Sequence, residues 1–71
     1  ISEMSASELL AHVQQLPDGY RMVFNLFVIE GYQHEEIAQM LNISQNTSKT
    51  QLMKARRMLM SKIKNKVYET L

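Results

Sequence analysis

The sequence contains no cysteine and no tryptophan, and only one proline and two glycines occur among its 71 residues. Without cysteine, disulfide bonds and thiolate zinc sites are excluded. Domains usually have about 50–250 residues, so we predict one domain over residues 1–71. A domain this small without covalent cross-links depends on packed apolar side chains, which make up 45% of this chain.

A long apolar run is also missing. The longest apolar-dominated stretch, residues 22–29, is interrupted by Asn25 and is far shorter than the roughly 20 residues of a membrane-spanning helix. The chain starts at Ile1, and no basic segment followed by an apolar one is visible as a secretory leader. We therefore expect an intracellular, soluble fragment of a longer protein, monomeric and without membrane insertion.

Charge is distributed unevenly, although the net charge is only +1. Residues 1–36 contain six acidic side chains and one basic one, a balance of −5. Residues 37–71 contain seven basic side chains and one acidic one, a balance of +6, and the seven lie between Lys49 and Lys66. We therefore predict a surface that is acidic at one end and basic at the other, and the basic end suits binding to a polyanion.

Sparse glycine, proline and β-branched residues, with no alternating apolar pattern, predict an all-α domain of four helices. We expect these helices over about residues 5–15, 17–30, 33–41 and 44–68. Ser5 and Ser44 are good N-caps, and Pro17 suits the first position of a helix. Gly31 and Asn42 tolerate the left-handed conformation that ends a helix.

Apolar spacing predicts which helix faces are buried. Leu9 and Leu10 belong to the apolar face of the first helix, and the second is apolar around much of its circumference. We expect Met22 and Met40 in the core, whereas Met53, Met58 and Met60 fall off the main apolar face.

One face of the fourth helix is predicted to be buried, because four of its residues recur at helical spacing. These residues are Ser48, Leu52, Ala55 and Leu59. We expect the hydroxyl of Ser48 to bond back to the carbonyl of Ser44.

Residues 33–60 have the pattern of a helix-turn-helix, whose second helix enters the major groove of DNA. The turn is Asn42–Ser44, Ala38 is small where the helices would cross closely, and Ile43 would lie buried beneath them. The motif has no β-stranded wing in this interpretation.

The outer side of the second helix carries side chains that suit DNA. Gln and Asn pair with adenine, Lys donates to guanine, Met and the Thr methyl contact thymine, and basic groups one turn later suit phosphates. The amino ends of the third and fourth helices also present N–H groups to phosphate. The predicted DNA-binding residues are Gln33, Ser44, Gln45, Asn46, Lys49, Thr50, Met53, Lys54, Arg56 and Arg57.

Three segments resemble region 4 of sigma-70 family factors. Residues 16–24, LPDGYRMVF, resemble its LP-x-x-x-R-x-V-F opening. Residues 31–41, GYQHEEIAQML, resemble its G-hydrophobic-S-x-x-E-I-A-x-x-L motif. Residues 43–56, ISQNTSKTQLMKAR, resemble its IS-x-x-T-V-K-S-R-L-x-x-A-R motif. The subgroup that this chain resembles most comprises the extracytoplasmic-function factors.

This resemblance implies a promoter-recognition domain of the bacterial cytoplasm. It would bind the −35 element of double-stranded promoter DNA, dock on the flap of core RNA polymerase, and in many members meet an anti-sigma factor. By position, Lys49, Thr50, Met53 and Lys54 fall where the family contacts the −35 bases or flanking phosphates. Arg56 falls on a basic position of the motif.

The chain departs from the family pattern at four places. Gln33 replaces a usual Ser or Thr, and Asn42 replaces a common Gly. Ser48 stands where Val is usual, on the buried face, and Gln51 replaces a usual Arg, which lowers the positive charge.

Two alternatives stay open at this point. The DNA-binding output domain of a LuxR-type response regulator shares the four-helix body and an EIA-x-x-L…IS-x-x-T core, although residues 16–24 and the Ala55-Arg56-Arg57 cluster argue against it. A helical protein-interaction or membrane-surface module would explain the Met- and Lys-rich last helix. No enzyme, cofactor or metal site is expected, because His12 and His34 are isolated and residue 38 is Ala, which breaks an H-E-x-x-H pattern.

Overall fold

The computed structural model describes residues 5–70, with side chains over residues 5–63. Its helices are α1 (Ala6–Gln14), α2 (Asp18–Phe24), which continues as a π-helical turn (Asn25–Ile29), α3 (His34–Leu41) and α4 (Gln45–Thr70). Over the described residues the domain is therefore all-helical, as predicted, with bounds within a few residues of those expected.

The predicted helix ends are confirmed where side chains or backbone angles define them. Ser5 Oγ accepts the Glu8 N–H at 3.2 Å, and Ser44 Oγ accepts the Thr47 N–H at 2.9 Å. Asn42 adopts φ 56° and ψ 48°, the left-handed conformation that Asn tolerates well. Each of these ends depends on interactions within four residues, so local sequence determines it.

Pro17 is placed one position away from the prediction. Its ψ of 148° is extended, and its carbonyl accepts the N–H of Arg21 at 2.9 Å. Pro17 is therefore the N-cap of α2, and Asp18 is the first helical residue.

The π-helical turn was not predicted. The N–H of Glu30 donates to the carbonyl of Asn25 at 3.0 Å, five residues back rather than four. Gly31 then adopts φ 82°, a conformation that a side chain would strain, and the chain reverses toward α3. The turn places Phe27 half-buried against the core and leaves Ile29 exposed.

The core forms around α4, which packs against α1, α2 and α3. The predicted inner face of α4 is confirmed, since Ser48 and Ala55 are fully buried and Leu52 and Leu59 are nearly so. The other buried apolar residues of the described chain come from the preceding helices and the α1–α2 link: Val13, Leu16, Val23, Phe24 and Ile37.

The prediction that Met22 and Met40 are core residues is wrong. Met22 is 46% exposed and Met40 is 51% exposed. At about 100° per residue, Met22 lies opposite Phe24 on α2, and Met40 lies to the side of Ile37 away from Leu41. Leu9 and Leu10 are also exposed, so the interior of this small domain receives fewer apolar side chains than the sequence offers.

Within the described residues, no helix combines the length and the apolar character that crossing a membrane requires.

Candidate DNA-binding interface

Helices α3 and α4 form the predicted helix-turn-helix. Left-handed Asn42 ends α3, and the N–H of Ile43 returns to the carbonyl of Ala38 at 3.0 Å. Ala38 and Ile43 are both half-buried, and Ile43 packs against the core. The turn is thus fixed from within, and it sets the direction in which α4 leaves α3.

All ten residues predicted to bind DNA are exposed. On α4, Asn46, Thr50, Met53 and Arg57 lie within about 60° of one another around the axis, opposite the buried face. Lys54 flanks this set on one side. Lys49 and Arg56 flank it on the other. The buried face fixes the helix against the core, so this outer surface is free for a ligand.

Two of the ten residues, Gln33 and Ser44, already make hydrogen bonds at the amino ends of α3 and α4. The Ser44 hydroxyl caps α4 and also donates to Thr47 Oγ1 at 2.9 Å. The N–H of Gln33 donates to Glu36 Oε1 at 3.0 Å, so a carboxylate lies at the amino end of α3. The first turn of α4 has no acidic residue. Its amino end is therefore the more favourable of the two for a phosphate.

An open cleft of about 550 Å³ brings four of the predicted residues together. Lys49, Met53, Arg56 and Arg57 line it, and the other six predicted residues lie outside it. The remaining lining residues are His34, Leu52 and Met60. Three cationic side chains around one cleft produce a positive potential that suits a phosphate backbone.

His34 was not predicted to be part of the site. Its Nδ1 atom lies 2.8 Å from Ser48 Oγ, and its ring stacks on Phe27 with centroids 4.4 Å apart and an interplanar angle of 21°. Burial of the ring, and then the positive charges of Lys49 and Arg56, lower the pKa of His34 below its ordinary value. The lowered pKa favours the neutral form of the imidazole.

The expectation that the Ser48 hydroxyl bonds to the carbonyl of Ser44 is wrong. That carbonyl accepts the backbone N–H of Ser48 at 3.0 Å, and the hydroxyl instead bonds to His34. The sequence does indicate that Ser48 has a hydrogen-bond partner, because a serine on an otherwise apolar helix face is buried and a buried hydroxyl needs one. The partner lies 14 residues earlier on another helix, so spacing along α4 did not reveal it.

The described residues contain no group of three His, Asp or Glu side chains placed to hold a metal ion. Lys62 is half-buried and lies beyond the cleft. The side chains of Lys64 and Lys66 are outside the described part of the chain.

Comparison with known proteins agrees with this geometry. The family model of sigma-70, region 4 matches residues 6–59, from the start of α1 to the last core residue of α4. Comparisons with curated proteins and with solved structures found no match. The match favours region 4 over a LuxR-type output domain and over an interaction or membrane-surface module.

Region 4 recognises the −35 promoter element during transcription initiation, works with RNA polymerase and contains a helix-turn-helix. With residues 6–59 matched and the motif's geometry in place, the chain belongs to the sigma-70 region 4 family.

Proposed function

We propose that this chain is the −35-binding domain of an extracytoplasmic-function-type sigma factor, and that the outer face of α4 makes the contacts. One observation carries the proposal: a polar and cationic face of α4 is exposed directly opposite a fully buried face. A helix packed in this way presents one surface to the major groove without rearrangement. The domain spans residues 1–71, acts by binding rather than catalysis, and works in the bacterial cytoplasm.

The position of each residue along α4 supports a division between base and phosphate contacts. At about 1.5 Å per residue, Gln45 to Met53 covers about 12 Å, the width of the major groove. Base contacts are therefore assigned to Gln45, Asn46, Lys49, Thr50 and Met53.

Phosphate contacts are assigned beyond this stretch and at the helix ends. Lys54, Arg56 and Arg57 lie about 14–18 Å from Gln45 along the axis, where the groove gives way to the backbone. Ser44 and Gln33 lie at the amino ends of α4 and α3. The end of α4 at Ser44 is the more favourable for a phosphate, because no acidic residue lies in the first turn of α4.

A protein-facing side of the domain is also proposed, for the flap of RNA polymerase and for an anti-sigma factor. Several apolar side chains are exposed on α1, on α2 with its π-helical turn, and on α3: Leu9, Leu10, Met22, Val28, Ile29 and Met40. Residues 1–36 carry a charge balance of −5, which disfavours contact with DNA. Five of these six side chains, all but Met40, belong to this acidic half, and exposed apolar groups there suit a protein partner.

Selection of duplexes from a random pool, at about 50 mM salt, tests DNA recognition. We expect one short motif to be enriched by the wild-type chain. Lys49→Ala and Thr50→Ala are expected to change which bases are enriched, because both residues face the groove. Lys62→Ala, about 20 Å beyond Lys49, is the matched control and should enrich the wild-type motif. Enrichment of no motif by the wild type, or an unchanged motif in both variants, would contradict the assignment.

A further inference from the structure

His34 connects the two helices of the DNA-binding motif through a bond that lies beneath its surface. It is the first residue of α3, and its Nδ1 atom meets Ser48 Oγ at 2.8 Å within the first turns of α4. Ser48 has no solvent-exposed area, and no other polar or charged residue of the described chain is buried to this extent. The Ser48 end of the bond is therefore shielded from water, whereas the half-buried His34 end borders the cleft, and the bond links one helix to the other.

The imidazole is held from a second side. Phe27, on the π-helical turn, stacks on it at 4.4 Å with nearly parallel rings. The same ring lines the cleft that Lys49 and Arg56 share. His34 is thus located between the core and the cationic surface, with its Nδ1 atom committed to Ser48.

Lys49 follows Ser48 directly on α4. A constraint on Ser48 limits rotation of the first turns of α4 about the helix axis. Such a rotation would move Lys49 relative to α3 and across the cleft that His34 also lines.

We propose that His34 is a positioning residue for DNA recognition, which orients Lys49 in the groove through its hydrogen bond to Ser48. This proposal rests on the proposed DNA-binding role of Lys49. His34 itself needs no contact with DNA in this account.

Two substitutions of His34 distinguish the roles of its two ring nitrogens. In His34→Asn the side-chain amide lies near the position of Nδ1, so the bond to Ser48 is retained. In His34→Gln the amide lies near the position of Nε2, and the bond is lost. With the selected duplex, we expect His34→Gln to bind about fivefold more weakly, and His34→Asn to restore most of that loss.

Double-mutant cycles then test the route through Ser48 and Lys49. Ser48→Ala should weaken binding as His34→Gln does, and the two changes together should cost no more than the larger single change. Lys49→Ala should cost less affinity in the His34→Gln background than in the wild type, because Lys49 is already misplaced there. Affinities are measured well below the unfolding temperature of each chain, which is determined by circular dichroism. A loss of affinity then cannot result from unfolding of the variant.

Wild-type affinity in His34→Gln would overturn the proposal, and so would an equal cost of Lys49→Ala in both backgrounds. In those cases the wild-type chain still binds its selected duplex and the proposed function stands. If the wild-type chain selects no duplex, the proposed function fails, and the role of His34 fails with it.

Discussion

Replacement of Lys54 by alanine tests the assignment of phosphate contacts most sharply. Lys54 is exposed, and the one ion pair within residues 5–63 joins Arg21 to Asp18, on α2. The substitution therefore breaks no intramolecular pair, and an exposed helix position tolerates alanine within about 0.5 kcal/mol of folding stability. Any change in DNA affinity then reports the contact itself.

The expected magnitude follows from counterion release. Each phosphate contact contributes about 0.9 to the slope of log affinity against log salt, so Lys54→Ala should reduce the slope by about 0.9. Between about 50 and 200 mM salt, a fourfold change, the wild-type chain should lose about 3.5-fold more affinity than the variant. The loss should be similar on every duplex, because a phosphate contact carries no base information.

Fluorescence anisotropy with a labelled duplex at four or five salt concentrations measures this slope. Lys62→Ala is the control with the same change of charge. It lies about 12 Å further along α4, and its slope should equal that of the wild type. An unchanged slope for Lys54→Ala, or an equal reduction for Lys62→Ala, would refute the assignment of Lys54 to the backbone.

Three further predictions concern the fold. Ile37→Ala should lower the free energy of unfolding by about 2–5 kcal/mol in urea titrations, since Ile37 is fully buried, whereas Met40→Gln should change it by no more than about 0.5 kcal/mol. Asn42→Val should cost about 1–2 kcal/mol because a β-branched residue resists the left-handed conformation, and equal stability would show that the turn is not left-handed. The folded-state pKa of His34 is lowered, so the unfolded chain takes up a proton more readily than the folded chain. The free energy of unfolding should therefore keep its full value above about pH 6.5 and decline below it. Urea titrations at about pH 7.5 and 5.5 measure this decline, and His34→Asn should remove part of it.

The sequence predicted features whose causes are local. Ser5 and Ser44 cap helices through groups within three residues, and the left-handed Asn42 is a preference of the residue itself. The inner face of α4 follows from the helical repeat, which places Ser48 and Leu59 on the same side. The exposure of the predicted DNA-binding residues on α4 then follows, because the side of a helix opposite its one buried face must point outward.

Features that depend on how helices meet were not predictable from spacing. Met40 has the apolar character of a core residue, but α4 covers only the side of α3 that carries Ile37. The π-helical turn changes the register after Phe24, and no residue in it signals the change. His34 and Ser48 are joined only because α3 and α4 cross where they do.

A nuclear magnetic resonance titration of the ¹⁵N-labelled chain with its selected duplex tests the central claim most directly, because it detects weak binding and locates it. The account predicts that amide shifts concentrate at residues 44–57 of α4 and its N-cap, with smaller changes around His34. Residues of α1 and the exposed side of α2 should be unaffected. Shifts confined to Leu9, Met22 and their neighbours, with none on α4, would contradict the claim that α4 reads the promoter.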